Sequence, residues 1–273
     1  VLLCMLEVSH ARLGFNRDPY LDKLRVCMDA SAQQIHDALE TVAKLRQQHR
    51  AAPALGRASA EVKRFQARRF EATYADLLRN HRYKTAAVFF LQELYSDKDY
   101  AERDQQFARI AGTIAKLFPQ PVVNTAAALA EVHALTEQLD DLMAREWLAD
   151  LESAPQSGEC ARYIRCWRRV GDVAARKRQL EVVLHLGQEL DRLTRMFGLR
   201  TLLKMMRGPA AAAGLNSLQH FLETGFDAFA DMRGAGEFLK LIRDRETAWI
   251  HSLFEDDAVT CETHLSHLLA AGA

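Results

Sequence analysis

Thr85 to Leu91, inside Tyr83-Lys-Thr-Ala-Ala-Val-Phe-Phe-Leu-Gln-Glu-Leu-Tyr95, is apolar or small at every position. A helix without a polar face belongs inside a core, since a surface helix keeps one side in water. The stretch therefore needs neighbours all round, and the rest of the chain must supply them as helices. Six prolines and thirteen glycines among 273 residues leave long runs unbroken, and the abundant Ala, Leu, Arg, Glu and Gln favour helix. The expected fold class is all-α, a bundle of long amphipathic helices. The length suffices for one large core or two packed lobes.

Helix-spaced apolar positions recur along the chain. After Asp18-Pro19, a cap followed by proline at the first helical position, Leu21, Leu24, Met28, Ser31, Ile35, Ala38, Val42, Leu45 and His49 alternate at three and four. His49 is expected to cap that helix or face solvent. A second helix, about 59 to 80, turns Val62, Phe65, Tyr74 and Leu77 inward and Lys63, Arg64, Arg68 and Arg69 outward. Asp99 to Glu102 has the spacing of a capping box. Pro119-Gln-Pro121 is the strongest stop, because each proline turns its predecessor away from helix. It predicts an N-terminal lobe, 1–118, and a C-terminal lobe, 122–273, unless the two share one continuous core.

In the second half, 122–151 reads as a long helix with Leu129, Val132, Leu135, Leu139, Leu142, Met143 and Trp147 inward. The segment 159–197 is helical with an interruption at Gly171-Asp172. Gly208 to Gly214 looks like a loop entering a helix. A last long helix carries Phe238, Ile242, Trp249 and Leu253.

Several function classes lose support. The 36 basic and 36 acidic residues cancel, so there is no global electrostatic case for nucleic acid or an anionic membrane. Five cysteines without a CxxC pair give neither a disulfide framework nor a zinc knuckle, and point to a reducing cytoplasm. Val1-Leu-Leu-Cys-Met-Leu6 matches part of a signal peptide but lacks its basic start and cleavage site, and is expected to begin the first core helix. No charge-free run of about 18 apolar residues occurs, so no membrane span is expected. No GxGxxG, Walker loop, GxSxG elbow or HExxH is present. That counts modestly against common hydrolases, kinases and dehydrogenases, and little against lyases or oxygenases built in bundles. No cofactor is expected.

Two stretches carry a resemblance. Arg82-Tyr83 through Phe89-Phe90-Leu-Gln-Glu-Leu-Tyr95, with Asp99-Tyr100 and Arg103-Asp104, is similar to the signature of a family of uncharacterised bacterial helical proteins. Gly225-Phe226-Asp-Ala-Phe229, Glu237-Phe238-Leu239 and Arg245-Glu246 before Leu253-Phe254 resemble the end of the same family. The resemblance implies a helical fold and a bacterial cytoplasmic origin, and supplies no catalytic residue.

Four constellations could carry chemistry. The first is the corner of Tyr83, Glu93, Tyr95, Asp99, Arg103 and Asp104, next to Arg82. It could line a small-ligand pocket, or form an interhelical clasp of the kind buried hydroxyls and charges require. The second is Glu181, His185 and Glu189 on one helix face, with Arg192 beyond. Bundle metal sites use Glu-x-x-His pairs from two helices, which this chain lacks, so an exposed charge ladder is the simpler reading. The third is basic: Arg162, Arg165, Arg169 and Arg176, interleaved with Tyr163 and Trp167. It could bind phosphate or bases, but the preceding helix carries Glu131, Glu137, Asp140, Asp141, Glu146 and Asp150, and exposed pairing between the two helices accounts for both. The fourth, Cys261, His264 and His267, falls short of the four ligands of structural zinc. No metal site is expected.

Two functions compete. Long amphipathic helices without catalytic motifs favour a non-enzymatic protein that acts through a protein partner or self-association, with an apolar surface patch. The alternative is a ligand-binding or enzymatic bundle at the Tyr83, Tyr95 and Arg103 corner, which calls for an enclosed cavity of about 300 Å³ or more. A phosphate or nucleic-acid surface on Arg162 to Arg178 is the weaker third.

Overall fold

A computed structural model describes residues 19–93 and 98–272, with side chains described from Ala30 onward. Among these there are thirteen helices and no strand, so the fold is all-α. The expected helix at residues 1–10 lies outside the described residues, as do Tyr95 and the side chains of Leu21, Leu24 and Met28.

In chain order, α1 (Pro19–Ala51) and α2 (Pro53–Thr73) are followed by the short α3 (Ala75–Arg79), the apolar α4 (Lys84–Glu93) and α5 (Ala101–Leu117). The longest helix, α6 (Gln120–Ser153), comes next, then α7 (Glu159–Val170) and α8 (Val173–Thr194). Two short helices, α9 (Leu199–Met205) and α10 (Arg207–Ala212), lead to α11 (Asn216–Asp231), α12 (Gly236–Glu255) and α13 (Ala258–Gly272). Residues 208 to 212, expected in a loop, are thus helical.

Pro119-Gln-Pro121 both ends one helix and starts another. Pro119 is the N-cap of α6 and Pro121 sits in its first turn, where a missing N–H costs nothing. From there α6 runs through the middle of the molecule, packing on α1, α2, α5, α7 and α8. The break at Gly171-Asp172 is where the sequence places it. Gly171 adopts φ +66, and Asp172 caps α8 by accepting from Ala175 N at 2.8 Å. The capping box at Asp99 does not form: Tyr100 is the N-cap of α5, and Glu102 accepts from Gln106.

Ala86, Ala87, Phe89 and Phe90 of α4 are buried, the two rings at 6% and 4% exposure, while Val88 and Leu91 are half-buried. Phe90 packs on Phe229 and Phe238, and Phe89 on Phe221, at centroid distances of 6.2, 5.5 and 5.6 Å. Gly225 on α11 permits this approach, since a Cβ there would lie 2.9 Å from Phe89 Cζ. A second core joins α2, α6, α7, α12 and α13, where Phe65 stacks on Tyr163 at 4.3 Å beside Trp147. A third, around Ile35, Phe107 and Val123, holds α1 and α5 to α6.

The inward face of α6 differs from the expected one at a telling place. Leu142 is 44% exposed, while Glu137, Asp140, Asp141 and Asp150 are buried. These acids lie on faces covered by α1, α2 and α7, whose side chains supply their partners, and Leu142 falls on the strip of α6 that stays exposed. His49 of α1, expected at the surface, meets Asp141 Oδ1 at 2.9 Å for the same reason.

Candidate functional site

His133, Thr136, Glu137 and Asp140 are spaced i, i+3, i+4 and i+7, which makes them one face of α6. That face lines a partly enclosed chamber of about 120 Å³, walled by α1, α2, α4, α5, α7, α8, α11 and α12, none of whose lining side chains is exposed. The volume is below the roughly 300 Å³ of a drug-sized site and close to that of a cavity able to hold benzene.

At one end, Asp104 of α5 gathers three partners. Arg46 Nη2 donates to its Oδ2 at 2.6 Å, His133 Nε2 lies 2.8 Å from the same oxygen, and Arg103 Nε donates to Oδ1 at 3.4 Å. Burial pushes the Asp104 carboxyl up, but the His133 hydrogen bond and the charges of His133, Arg103 and Arg46 outweigh it and bring it down to about 2. The Arg103 guanidinium lies 4.1 Å from the Tyr100 ring and 4.6 Å from the Phe221 ring, and its Nη1 is 3.5 Å from Glu93 Oε2.

The wall is made of pairs. Lys63 Nζ donates to Glu137 Oε1 at 2.6 Å, and Arg69 makes two hydrogen bonds to Glu246, which also accepts from the Tyr74 hydroxyl at 2.9 Å. Burial raises the Glu137 carboxyl, and the Lys63 charge and hydrogen bond more than reverse this, leaving it lowered. At the far end, Arg176 lies 4.0 Å over the Trp167 ring. Asp140 accepts from the neutral Gln66 amide at 3.0 Å, and burial pushes its carboxyl up.

The predicted corner is divided. Glu93, Arg103 and Asp104 meet at the chamber, whereas Tyr83 lies at the other end of α4, its hydroxyl donating to Glu237 at 2.5 Å. Ten residues of helix, about 15 Å, separate Tyr83 from Glu93. Asp99 is exposed, accepts from Ala101 N at 2.9 Å and lies 4.0 Å from Arg50 Nη2. The basic constellation is divided as well. Arg162, Arg165 and Arg169 converge on Asp150, a residue of α6 with no exposure, at 3.3, 2.7 and 3.2 Å. Only Arg176 lines the chamber.

The family described as Domain of unknown function (DUF8198) matches residues 45–260. The chain belongs to this family. No curated protein and no solved structure matches it. The span assigned to DUF8198 contains every chamber-lining residue except Leu39.

The remaining constellations do not assemble. Among the described residues no three His, Cys, Asp or Glu side chains gather where a metal could be held. Glu189 pairs with Arg192, Glu181 and His185 are exposed, and Cys261 is buried against Ser252 while His264 stacks on Trp249 at 4.9 Å. Among the described residues no helix is long and apolar enough to cross a membrane. The sequence reading missed Lys63, Arg69, His133, Asp140 and Glu246. For His133 and Asp140 the signal was a polar stripe at helical spacing on α6, whereas Lys63 and Arg69 on α2 and Glu246 on α12 carry none.

Proposed function

We propose that the protein binds a small polar molecule in the chamber beside α6. The observation that carries this reading is the concentration of charged groups around a partly enclosed cavity, one of them, Asp140, with its carboxyl raised by burial. Charges are costly to bury and are spent sparingly in a purely structural core. A cavity with convergent polar groups and a perturbed acid is a candidate site on general grounds. An outer groove on α1 and α5 shares Leu39 and Asp104 with the chamber. The Arg46 to Asp104 bridge is therefore the door in this reading.

A melting-temperature screen of small polar metabolites, with native mass spectrometry of the purified protein, tests it. At least one compound should raise the melting temperature, and Val183→Phe, which narrows the chamber, should abolish that shift while remaining folded. No shift and no retained adduct would end the reading.

A second reading, association with a protein partner or another copy, draws on an apolar patch: Phe197 is fully exposed, and Met205 and Leu202 are 69% and 44% exposed nearby. Patches of this kind mark contact surfaces. Sedimentation that changes with concentration would favour it, and does not conflict with a ligand in the chamber.

A further inference from the structure

Not every buried donor of the chamber meets an acceptor. Four of its five acids accept hydrogen bonds: Asp104 from Arg46, His133 and Arg103, Glu137 from Lys63, Asp140 from Gln66, and Glu246 from Arg69 and Tyr74. Among the described residues, Arg103 Nη1 and Trp167 Nε1 are two such donors without a hydrogen-bond acceptor. For Arg103 the nearest oxygen is the 3.5 Å ion contact with Glu93, too long for a good hydrogen bond. Trp167 is 7% exposed and lines the cavity. An unmet buried donor costs about 1–3 kcal/mol, and native interiors rarely leave one.

The two donors belong to opposite ends. Arg103 adjoins Asp104 and hence His133 of α6, whereas Trp167 lies under Arg176 beside Asp140. His133 and Asp140 are seven residues apart, about 10 Å of helix rise. The chamber's volume of about 120 Å³ admits only a short molecule between them. The ends also differ in kind. Arg103 presents the edge of a guanidinium held by two rings, a seat suited to a carboxylate. The indole N–H is uncharged. The five carboxylates lining the chamber already outnumber its four Lys and Arg side chains, so a second anionic end would be repelled.

We propose that the chamber takes a short-chain oxo acid, with its carboxylate on Arg103 and its distal carbonyl oxygen on Trp167. This rests on the ligand-binding reading above and names the class of ligand.

Titration calorimetry on the full chain tests it with levulinate, a five-carbon oxo acid. Valerate lacks the distal oxygen, and glutarate replaces it with a second carboxylate. Levulinate should bind about tenfold or more tightly than either, the effect of one buried hydrogen bond or one repelled charge. Trp167→Phe, which removes the N–H and keeps the ring, should bring levulinate to the level of valerate. Arg103→Gln should weaken all three. Equal binding of levulinate and valerate in the native chain, or tighter binding of glutarate, would overturn the proposal without any variant. Levulinate binding unchanged in a folded Trp167→Phe protein would do the same. If levulinate does not bind, the oxo-acid assignment falls. The melting screen then separates the two claims: another compound lost on Val183→Phe keeps the chamber as a site, whereas none leaves both donors to ordered water.

Discussion

Asp150 and Asp140 lie on the same helix, ten residues apart, and both are buried, yet they are held in opposite ways. Asp150 is surrounded by Arg162, Arg165 and Arg169, and hydrogen bonding from Arg165, with the neighbouring charges, keeps its carboxyl below the ordinary range. Asp140 borders a cavity, accepts from a neutral amide, and has its carboxyl raised by burial. The first is a saturated charge whose partners fasten α7 to α6. The second is under-served, as a group kept for something other than packing would be. Burial alone therefore does not identify a functional acid; the completeness of its partners does.

The largest test of this contrast is Asp150→Ala. Arg162 would lose a buried acceptor, while the partly exposed Arg165 and Arg169 could turn to water, so the expected cost is that of lost charged hydrogen bonds, about 2–3 kcal/mol. Urea melts should register that loss, and α7 should be the element that loosens in hydrogen exchange. A change under about 1 kcal/mol would mean that water already supports these charges, and the contrast would vanish.

The same contrast explains what could be read from sequence. The apolar stretch in α4, the break at Gly171-Asp172 and the pairing of an acidic helix with a basic one were legible, because periodicity and turn residues report local preference directly. The depth of the pairing was not. Arg162, Arg165 and Arg169 follow one another at three and four on α7, as an exposed charged face would. Nothing in that spacing tells that Asp150 has no exposure. Pattern reading sends charge to water, which placed Lys63 and Arg69 outside when both face the chamber. Grouping Tyr83 with Arg103 failed differently, since closeness in sequence hid the length of α4. Glu93, Arg103 and Asp104 do come together, as a polar helix end beside a buried helix is where such groups meet.

Asp104 joins the two cases, since it lines the chamber yet has its partners. Its carboxyl titrates at about 2 in the folded chain against an ordinary 3.8. Between those values the unfolded chain binds more protons, so the contribution is complete above 3.8 and disappears as pH falls through about 2. It amounts to about 2 kcal/mol at neutral pH. Acid unfolding followed by circular dichroism should be steeper in the native chain than in Asp104→Asn, whose low-pH limb should flatten. Parallel limbs would show that Arg46 and His133 do not hold the charge.

Asp140→Asn carries the smallest expected effect and the most discriminating one. An acid whose folded carboxyl is raised favours its protonated form when folded, so the folded chain binds more protons. Its stabilising term is present below the ordinary value of 3.8 and is lost as pH rises through the higher folded value. Asparagine has no charge to bury and still offers an oxygen to Gln66. The variant should therefore match the native protein at acid pH and become the more stable of the two as pH rises, by up to about 1 kcal/mol at neutrality. The sign separates it from Asp150, where loss of the carboxylate can only harm. Paired thermal melts across that range would show the difference. An Asp140→Asn protein less stable than native at neutral pH would mean that Lys63 and Arg176 need the Asp140 charge, making that end of the chamber a second ion cluster of the Asp150 kind.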